Sequence, residues 1–500
     1  MKKRQTAAWL CAALMLSAAA SSCGEAALSE PKENSGSDTA PVTEAVTEEI
    51  DENANALANA IASLPAKDYG GYTFTVLDRN EVTDPNWVTI DVYSEAENGD
   101  VINDAVYQRN RILEEAFNIK VAHTPVQTPN ADAKKMITAG DAAFDVVTDG
   151  INTLGTLATS GYLYDWHEVP GIDLSQPWWD PQATTELSIG NKLFFTTGDI
   201  SIMDNYGTWC IMFNKTIAND YDLDNIYEHV NKGTWTMGLL YEMAKTVTKD
   251  LNGDGVIADD DQWGYFSEGY NQYGMWAASG ETIIKKDKND MPMLAAYNER
   301  SASVMQLVSE MQQNTASTLS AERVKDGTGC AYTNEAFGNG RALFIYGGMW
   351  LITKYRAYDI NFGVVPAPKY EEGQDRYYNT YSYANCTAYG IPVTCPDFDR
   401  LGTIVESMAQ ISKYTLTPAY YDVALKGKFV RDEESAEMLD IILAQRSYDL
   451  GNIFDWGGMF SMITGLATQK NGDFASSYAK KEAAAQKAID KFIDSLEVLE

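Results

Sequence analysis

The sequence predicts an α/β protein, and three of its features lead to that prediction. The chain has 500 residues, of which 45% are hydrophobic, which is enough for more than one core because domains average about 100–200 residues. Strand-like alternation and helix-like spacing of apolar residues follow each other in the order β-α-β, and this unit occurs twice. Strands connected in this way pair in parallel, so we expect a three-layered structure with helices on both faces of a sheet.

The composition excludes several classes of function. The 71 acidic and 38 basic residues give a net charge of −33, so most of the surface repels nucleic acids and anionic membranes. Three histidines and six cysteines leave little material for a zinc site, histidine catalysis or a dense disulfide scaffold. We therefore expect no nucleic-acid partner and no organic cofactor.

Residues 1–22 have the pattern of a secretory signal. Three basic residues at positions 2–4 precede an apolar stretch from Thr6 to Ala20, and small residues follow. The segment ending in Cys23 resembles the lipobox of bacterial lipoproteins, although Ala20 stands where leucine is usual. The resemblance implies that Cys23 is lipid-modified and anchors the protein outside the cytoplasmic membrane, while an ordinary signal peptide cut nearby is the alternative.

Residues 23–66 follow as a predicted disordered acidic tether. Residues 24–66 contain no aromatic residue and nine acids against the single basic residue Lys32. Such a segment cannot bury enough apolar surface to offset its ordering entropy, and self-repulsion extends it. Helix is plausible only near residues 53–64. No later stretch approaches the 18 apolar residues of a membrane span.

The folded body begins with two β-α-β units. Residues 72–77 alternate and are rich in β formers, a helix follows over about 103–117, and residues 119–121 resume a strand. The second unit has a helix over 131–140, a buried strand over 144–147, a turn at Asp149-Gly150 and a helix ending at 160–161. Further strands are predicted at 194–195 and 209–213, and further helices at 237–247, 301–313, 400–413, 435–443 and 483–496.

Four pieces of sequence, in this order, resemble the extracellular solute-binding proteins of ABC importers, the family that includes the sugar-binding lipoproteins similar to maltose-binding protein. They are Phe144–Gly150 with Ser160–Trp166, Phe213-Asn214-Lys215 with Gly233-Thr234-Trp235, Asn339–Trp350, and Phe362–Pro368. Gly233 stands where the family has proline, and Phe213 stands where it has tyrosine.

The resemblance implies a two-lobed periplasmic-binding-protein-like fold of type II, whose chain crosses a hinge several times and closes around a solute. Carried over by position, lobe one holds residues 67–200 and 391–452, and lobe two holds 201–390 and 453–500. The implied function is binding of a small polar solute, most plausibly an oligosaccharide, and its delivery to ABC permease subunits by a monomeric receptor.

A segment over residues 250–261 has calcium-loop spacing. Side-chain oxygens occupy positions one, three and five, glycine occupies position six, and an acid occupies position twelve. The ligands would be Asp250, Asn252, Asp254, the carbonyl of Val256 and Asp261, and the ion's role would be structural. A solvated acidic turn without metal is the alternative.

Aromatic and polar side chains supply a candidate solute site. Sugar rings stack on aromatic faces, and their hydroxyls bond to carboxylates and amides. For most single aromatic residues, core packing is the favoured explanation. Trp350 is the exception, since it aligns with the family's tryptophan after the glycine turn. The full set of candidate ligand-binding residues is Asp149, Gly150, Asn152, Tyr206, Trp209, Tyr265, Glu268, Gln272, Trp276, Tyr346 and Trp350.

The chain offers no catalytic motif of three common kinds, since G-x-S-x-G, G-x-x-x-x-G-K-[ST] and H-E-x-x-H are all absent. Cys386 and Cys395 could form a disulfide outside the cell, whereas Cys210 lies in an apolar run typical of a buried residue. We expect a binding protein rather than an enzyme. The alternatives are a secreted carbohydrate-active hydrolase with two catalytic acids, and a surface adhesin or sensor of the same fold.

Overall fold

The computed structural model describes residues 43–80, 88–325, 327–425, 433–469 and 472–497. The predicted signal at 1–22 and the lipidation site Cys23 lie outside this range and stay predictions. The helices are Thr43–Ser63, Val101–Phe117, Pro129–Thr138, Ile151–Thr159, Pro181–Glu186, Met203–Gly207, Lys215–Asp220, Ile226–Lys232, Met237–Val247, Gln272–Ala277, Glu299–Gln313, Cys330–Gly338, Trp350–Tyr355, Phe398–Ser412, Leu416–Leu425, Glu433–Ala444, Leu450–Phe454, Met459–Ala467 and Phe474–Glu497.

Twelve strands are present among the described residues, and they form two five-stranded sheets and one hairpin. In chain order they are β1 (Tyr72–Arg79), β2 (Ile119–Val126), β3 (Val146–Gly150), β4 (Phe195–Thr196), β5 (Trp209–Asn214), β6 (Trp263–Ser267), β7 (Ile284–Lys286), β8 (Pro292–Leu294), β9 (Thr318–Ser320), β10 (Ala342–Gly348), β11 (Phe362–Val365) and β12 (Thr387–Gly390).

Sheet one has the order β2-β1-β3-β12-β4, and sheet two has the order β11-β5-β10-β6-β9. Each sheet contains a parallel set, β2-β1-β3 in the first and β10-β6-β9 in the second. The expectation of purely parallel pairing is wrong, because β12 runs antiparallel to β3 and β5 runs antiparallel to β10. Both exceptions are strands next to the segments where the chain changes sheets.

Local sequence explains why the first β-α-β unit forms where it was predicted. The Asp100 carboxylate accepts the backbone N–H groups of Ile102 and Asn103 and so caps the helix Val101–Phe117, while Asn118 ends it with a left-handed backbone. The apolar side of this helix is buried against the sheet, as its spacing predicted. The predicted turn at Asp149-Gly150 is corrected, because these residues are the buried last pair of β3.

The tether is shorter than its composition predicted. A helix spans Thr43–Ser63, and its residues Leu57, Ala60 and Ile61 pack against the main core. The apolar residues of this stretch recur at helical spacing, so burial against the body offsets the ordering entropy that the acid-rich composition would otherwise leave uncompensated. The helix considered plausible near residues 53–64 is therefore confirmed for residues 53–63, and it begins earlier than expected, at Thr43.

The chain passes from sheet one to sheet two through residues 197–208 and returns through residues 366–386. A third connecting segment, 445–458, lies beside both. Isolated β-bridges join the segments in pairs, Thr208 with Tyr381 and Asn379 with Arg446. Hydrogen-bonded connections of this kind are what a hinge between two lobes requires.

The predicted lobe boundaries stay a prediction, and two packing facts bear on them. β12 belongs to sheet one although residues 387–390 were assigned to lobe two. The helix Glu433–Ala444 packs against β11 of sheet two although residues 391–452 were assigned to lobe one. Transfer by position could not place these two elements, because their pairing is set by contacts far apart in sequence.

Candidate functional site

Ends of both sheets meet the connecting segments at one place. β3 ends at Gly150, where a side chain would contact the backbone oxygens of Ala384 at 2.9 Å and Tyr383 at 3.2 Å. In sheet two, β5 begins at Trp209, opposite Gly348 at the end of β10. The site therefore lies where open α/β sheets place their ligands, beyond the carboxyl ends of parallel strands.

A cluster of aromatic rings fills this place and draws on both sides. Trp209 contacts Tyr270 with ring centroids 5.4 Å apart, and Tyr270 contacts Tyr383 at 5.5 Å. Tyr346 packs edge-on against Trp209 at 5.8 Å, and Phe460 contacts Tyr383 at 5.4 Å. Tyr270 and Tyr383 are partly exposed, whereas Trp209 and Tyr346 are buried. The cluster thus offers two accessible rings held by a packed base.

Sheet one contributes a buried ion pair at the same edge. The Arg79 guanidinium lies 3.5 Å from the Asp149 carboxylate and donates a hydrogen bond of 2.8 Å to the Ala384 carbonyl. Burial raises the pKa of Asp149, and the charge of Arg79 opposes that rise. Asn152, in the first turn of the next helix, has a buried side-chain oxygen without a hydrogen-bond partner among the described residues. Asp149 and Arg79 therefore fix the backbone next to Asn152.

Sheet two contributes acids after β6. Burial raises the pKa of the partly buried Glu268, and a hydrogen bond with the Cys330 thiol opposes the rise. The Glu322 carboxylate accepts the backbone N–H of Gly269 at 2.7 Å. Gln272 is buried, and its amide donates to the Glu268 carbonyl at 3.3 Å. This side of the site is acidic and half desolvated.

Trp350 and Tyr206 lie together at the other side of β10. A side chain placed on Gly348 would meet the Trp350 indole at 2.5 Å and the Tyr206 carbonyl at 3.3 Å. Both residues are partly exposed, and the Tyr206 ring contacts Tyr420 with centroids 5.3 Å apart. Only glycine fits at position 348, so the close approach of these two predicted contacts depends on it.

Tyr265 and Trp276, both predicted ligand contacts, lie in the core, in addition to the buried Trp209, Tyr346 and Gln272. Tyr265 is 1% exposed, and Trp276 is fully buried, with its indole N–H donating to the Ser301 carbonyl. Nothing in the sequence separates a buried aromatic from one at a site, since both occur at apolar spacing. Three residues that lie at the site were not predicted, namely Arg79, Tyr270 and Tyr383. Arg79 could have been found, because it ends β1 beside Asp149.

The hinge segments are joined by a buried charged cluster. The Arg446 guanidinium lies 2.6 Å from the Asp204 carboxylate and donates to the Asn205 side-chain oxygen at 2.6 Å and to the Tyr448 hydroxyl at 2.9 Å. Its distance to the Asp180 carboxylate is 3.3 Å. Burial raises the pKa of Asp204 to about 6 although Arg446 opposes the rise. Arg446 thereby ties the third connecting segment to the first.

The 250–261 loop lies between the helix Met237–Val247 and β6, as predicted. The Asp250 carboxylate accepts the N–H groups of Gly253 and Gly255, and both glycines have positive φ. Asp261 accepts the N–H groups of Leu251 and Ala258. Both carboxylates are therefore held by backbone N–H groups of the turn. No three His, Cys, Asp or Glu side chains converge into a metal site in the described parts of the chain.

All four cysteines in the described body are free thiols, so the structure has no disulfide between Cys386 and Cys395. Cys210 is fully buried in β5, as its apolar run predicted. Burial raises the pKa of the Cys395 thiol. Within the described ranges, no helix is both long and apolar enough to cross a membrane.

A family model described as bacterial extracellular solute-binding protein matches residues 110–405, which is more than half of the chain. No curated protein sequence matches the chain.

Several solved structures are similar in fold. UspC of M. tuberculosis has 15% identity, a TM-score of 0.57, and coverage of 83% of this chain and 100% of its own. A cyclo/maltodextrin-binding protein complexed with maltotetraose has 16% identity and a TM-score of 0.53, and the match covers 85% of this chain and 96% of its own. The GacH receptor of Streptomyces glaucescens, described in complex with acarbose, has 15% identity and a TM-score of 0.51, and the match covers 86% of this chain and 98% of its own. At these identities the likeness is one of fold, and it confirms the predicted two-lobed α/β architecture.

Proposed function

The chain belongs to the bacterial extracellular solute-binding proteins, and from that premise we propose that it is a lipid-anchored receptor that binds an oligosaccharide at the meeting point of its two sheets. The receptor closes around the sugar and delivers it to the permease subunits of an ABC importer. It makes and breaks no covalent bond. The proposed anchor is Cys23, and the proposed location is the outer face of the cytoplasmic membrane.

The observation that carries this proposal is the aromatic cluster at the meeting point. Trp209 opens β5 of sheet two, Tyr270 follows β6, and Tyr383 belongs to the segment that lies on Gly150 of sheet one. Accessible rings with nearby amides and carboxylates are the combination that stacks on sugar C–H faces and bonds to sugar hydroxyls. One of the similar structures is complexed with maltotetraose, and another is described in complex with acarbose, which supports the same choice of solute.

The hinge supports a closing receptor. Three connecting segments run side by side and are hydrogen-bonded to one another. The two five-stranded sheets share no strand. Rotation within these few segments would move one sheet relative to the other without breaking either sheet. A ligand that contacts both sides, such as one held by Tyr383 and Trp350, would favour the closed arrangement.

We also propose calcium as a structural ion in the 250–261 loop. Asp250, Asn252, Asp254, the Val256 carbonyl and Asp261 would hold it, and the ion would neutralise the acids of the loop. The loop stands at the start of β6, so its order would support the strand that leads to Glu268. Calcium would therefore stabilise the fold without taking part in sugar binding.

The test is a binding measurement on the full chain with the Trp350→Ala variant. Trp350 is partly exposed, and loss of one stacking ring should weaken oligosaccharide binding about tenfold or more. Tyr297→Ala is the matched control, because Tyr297 is a 39% exposed aromatic that contacts Phe474 and Tyr478 of the C-terminal helix. Isothermal titration against a panel of oligosaccharides gives both affinities.

Two results would contradict the proposal. Equal affinity of Trp350→Ala and wild type would remove Trp350 from the site. Turnover of chromogenic glycosides by the purified chain would show a hydrolase instead of a receptor, since binding proteins release their ligand unchanged.

A further inference from the structure

The arginine that follows the helix Trp350–Tyr355 has an unsatisfied guanidinium nitrogen in the described part of the chain. Arg356 is partly buried, and its Nη2 atom is buried without a hydrogen-bond partner among the described residues. Burial lowers the pKa of Arg356, and the groups that oppose this are the hydroxyls of Tyr206 and Tyr420, with no carboxylate among them. A guanidinium that loses water without gaining an anion is an unfavourable arrangement.

Other arginines of the body have acids nearby, although one nitrogen of each of Arg323, Arg341 and Arg446 also lacks a hydrogen-bond partner among the described residues. Arg446 contacts the Asp204 carboxylate at 2.6 Å, and Arg79 lies 3.5 Å from Asp149. Arg109, fully buried, donates to the Val92 carbonyl and lies in the field of Asp91. The chain contains 71 acidic residues, so its composition does not explain the unsatisfied nitrogen of Arg356.

Arg356 stands beside the proposed sugar contacts. Burial raises the pKa of the Tyr206 hydroxyl, Thr353 and Arg356 lower it, and Asp100 and Asp91 make smaller contributions that raise it. Tyr206 meets Trp350 at Gly348. Lys354, an exposed residue of the same helix, places its ammonium 5.9 Å from the centre of the Trp350 ring. One side of the site therefore carries two cations in a protein whose net charge is strongly negative.

We propose that Arg356 binds an anionic group of the solute, so that the ligand is an acidic oligosaccharide, with carboxylates such as those of uronate units. The inference rests on the function proposed above and narrows its solute class. The planar guanidinium fork matches a carboxylate in two parallel hydrogen bonds. The hydroxyls of Tyr206 and Tyr420 beside the fork can bond to the same group, and the Trp350 ring can take the face of the sugar that carries it.

The experiment compares neutral and acidic tetrasaccharides on the full chain. The neutral probes are maltotetraose and cellotetraose, the acidic probes are tetragalacturonate and tetramannuronate, and inorganic phosphate is a free-anion probe. The variants are Arg356→Gln, which removes the charge, and Arg356→Lys, which keeps the charge and loses the fork. Lys480→Gln is the matched control, because it removes one positive charge from an exposed position on the C-terminal helix.

We expect wild type to bind an acidic probe more tightly than its neutral counterparts, and more weakly at high salt than at low salt. Arg356→Gln should weaken acidic binding about 10- to 100-fold and leave neutral binding unchanged. The affinity of Arg356→Lys for the acidic probes should lie between those of wild type and Arg356→Gln. The affinity of Lys480→Gln should match that of wild type. Melting curves of each variant without ligand check that the fold is kept.

Three results would overturn the inference. If neutral probes bind and acidic probes do not, or if Arg356→Gln weakens both equally, the receptor function stands and the acidic solute class is wrong. If phosphate alone protects the protein as strongly as the acidic sugars, Arg356 binds a free anion. If none of the four tetrasaccharides binds wild type, the proposed receptor function fails together with the inference.

Discussion

Glu186 at the hinge makes the stability of the protein depend on pH in a direction opposite to that of a carboxylate whose pKa is lowered by folding. Its side chain is 28% exposed. One carboxylate oxygen accepts the Tyr448 N–H at 2.5 Å, and the other lies 3.7 Å from the Arg376 guanidinium. Burial, with smaller contributions from Asp180 and Asp449, raises the pKa of Glu186 from 4.5 to about 7.

The sign follows from comparing the folded and unfolded states. The folded state holds the proton more tightly, so the ionised carboxylate lowers the free energy of unfolding. That loss begins as the pH rises above about 4.5 and is complete above about 7. At about 1.4 kcal/mol per pH unit, the full loss is about 3 kcal/mol.

The variant Glu186→Gln removes the charge and keeps an oxygen that can accept the Tyr448 N–H. It should be more stable than wild type by about 1 kcal/mol at pH 5 and by about 3 kcal/mol at pH 8. Urea unfolding followed by tryptophan fluorescence at several pH values measures this difference. Glu335→Gln, at an exposed position, is the matched control and should show no such change with pH. A difference that stays constant or narrows between pH 5 and pH 8 would refute the reasoning.

Two further predictions concern the hinge cluster and the acidic loop. Arg446→Met should lower the free energy of unfolding by about 3–5 kcal/mol, because it leaves the Asp204 carboxylate buried without its cation. Arg111→Met, at an exposed position, is the control in the same urea unfolding measurement. Equal losses of stability in both variants would contradict the account. Calcium should raise the melting temperature of wild type and not that of Asp254→Ala, with exposed Asp494→Ala as control; a calcium shift that survives Asp254→Ala would place the ion elsewhere.

Local patterns were enough to locate several of the body's elements. The helix Met237–Val247 lies where its apolar spacing placed it, and the helix over 101–117 begins at a cap, Asp100, that acts within three residues. The 250–261 loop was also predictable, because its glycine positions and acid spacing are local signals, and so were the helix before it and the strand after it. The four family-like pieces gave the two-lobed fold, since their order along the chain is itself a sequence property.

The candidate site was predictable only in part. Asp149 and Gly150 were found because a strand end next to a glycine is visible in sequence. Tyr270 and Tyr383 are brought together by two segments that lie more than 100 residues apart, and Tyr265 and Trp276 are turned into the core. Which face an aromatic residue presents depends on what packs behind it, and that is a property of the assembled sheets.

The sequence by itself determined the acidic charge, the export pattern, the order of strands and helices, and the spacing of the calcium-like loop. Only the tertiary structure decided that β5 and β12 run antiparallel to their neighbours, that Arg446 lies among the hinge acids, and that one buried nitrogen of Arg356 lacks a hydrogen-bond partner among the described residues. The physical reason is that capping, periodicity and turn geometry act over a few residues. Pairing and desolvation depend instead on which distant segments the fold brings within a few ångströms.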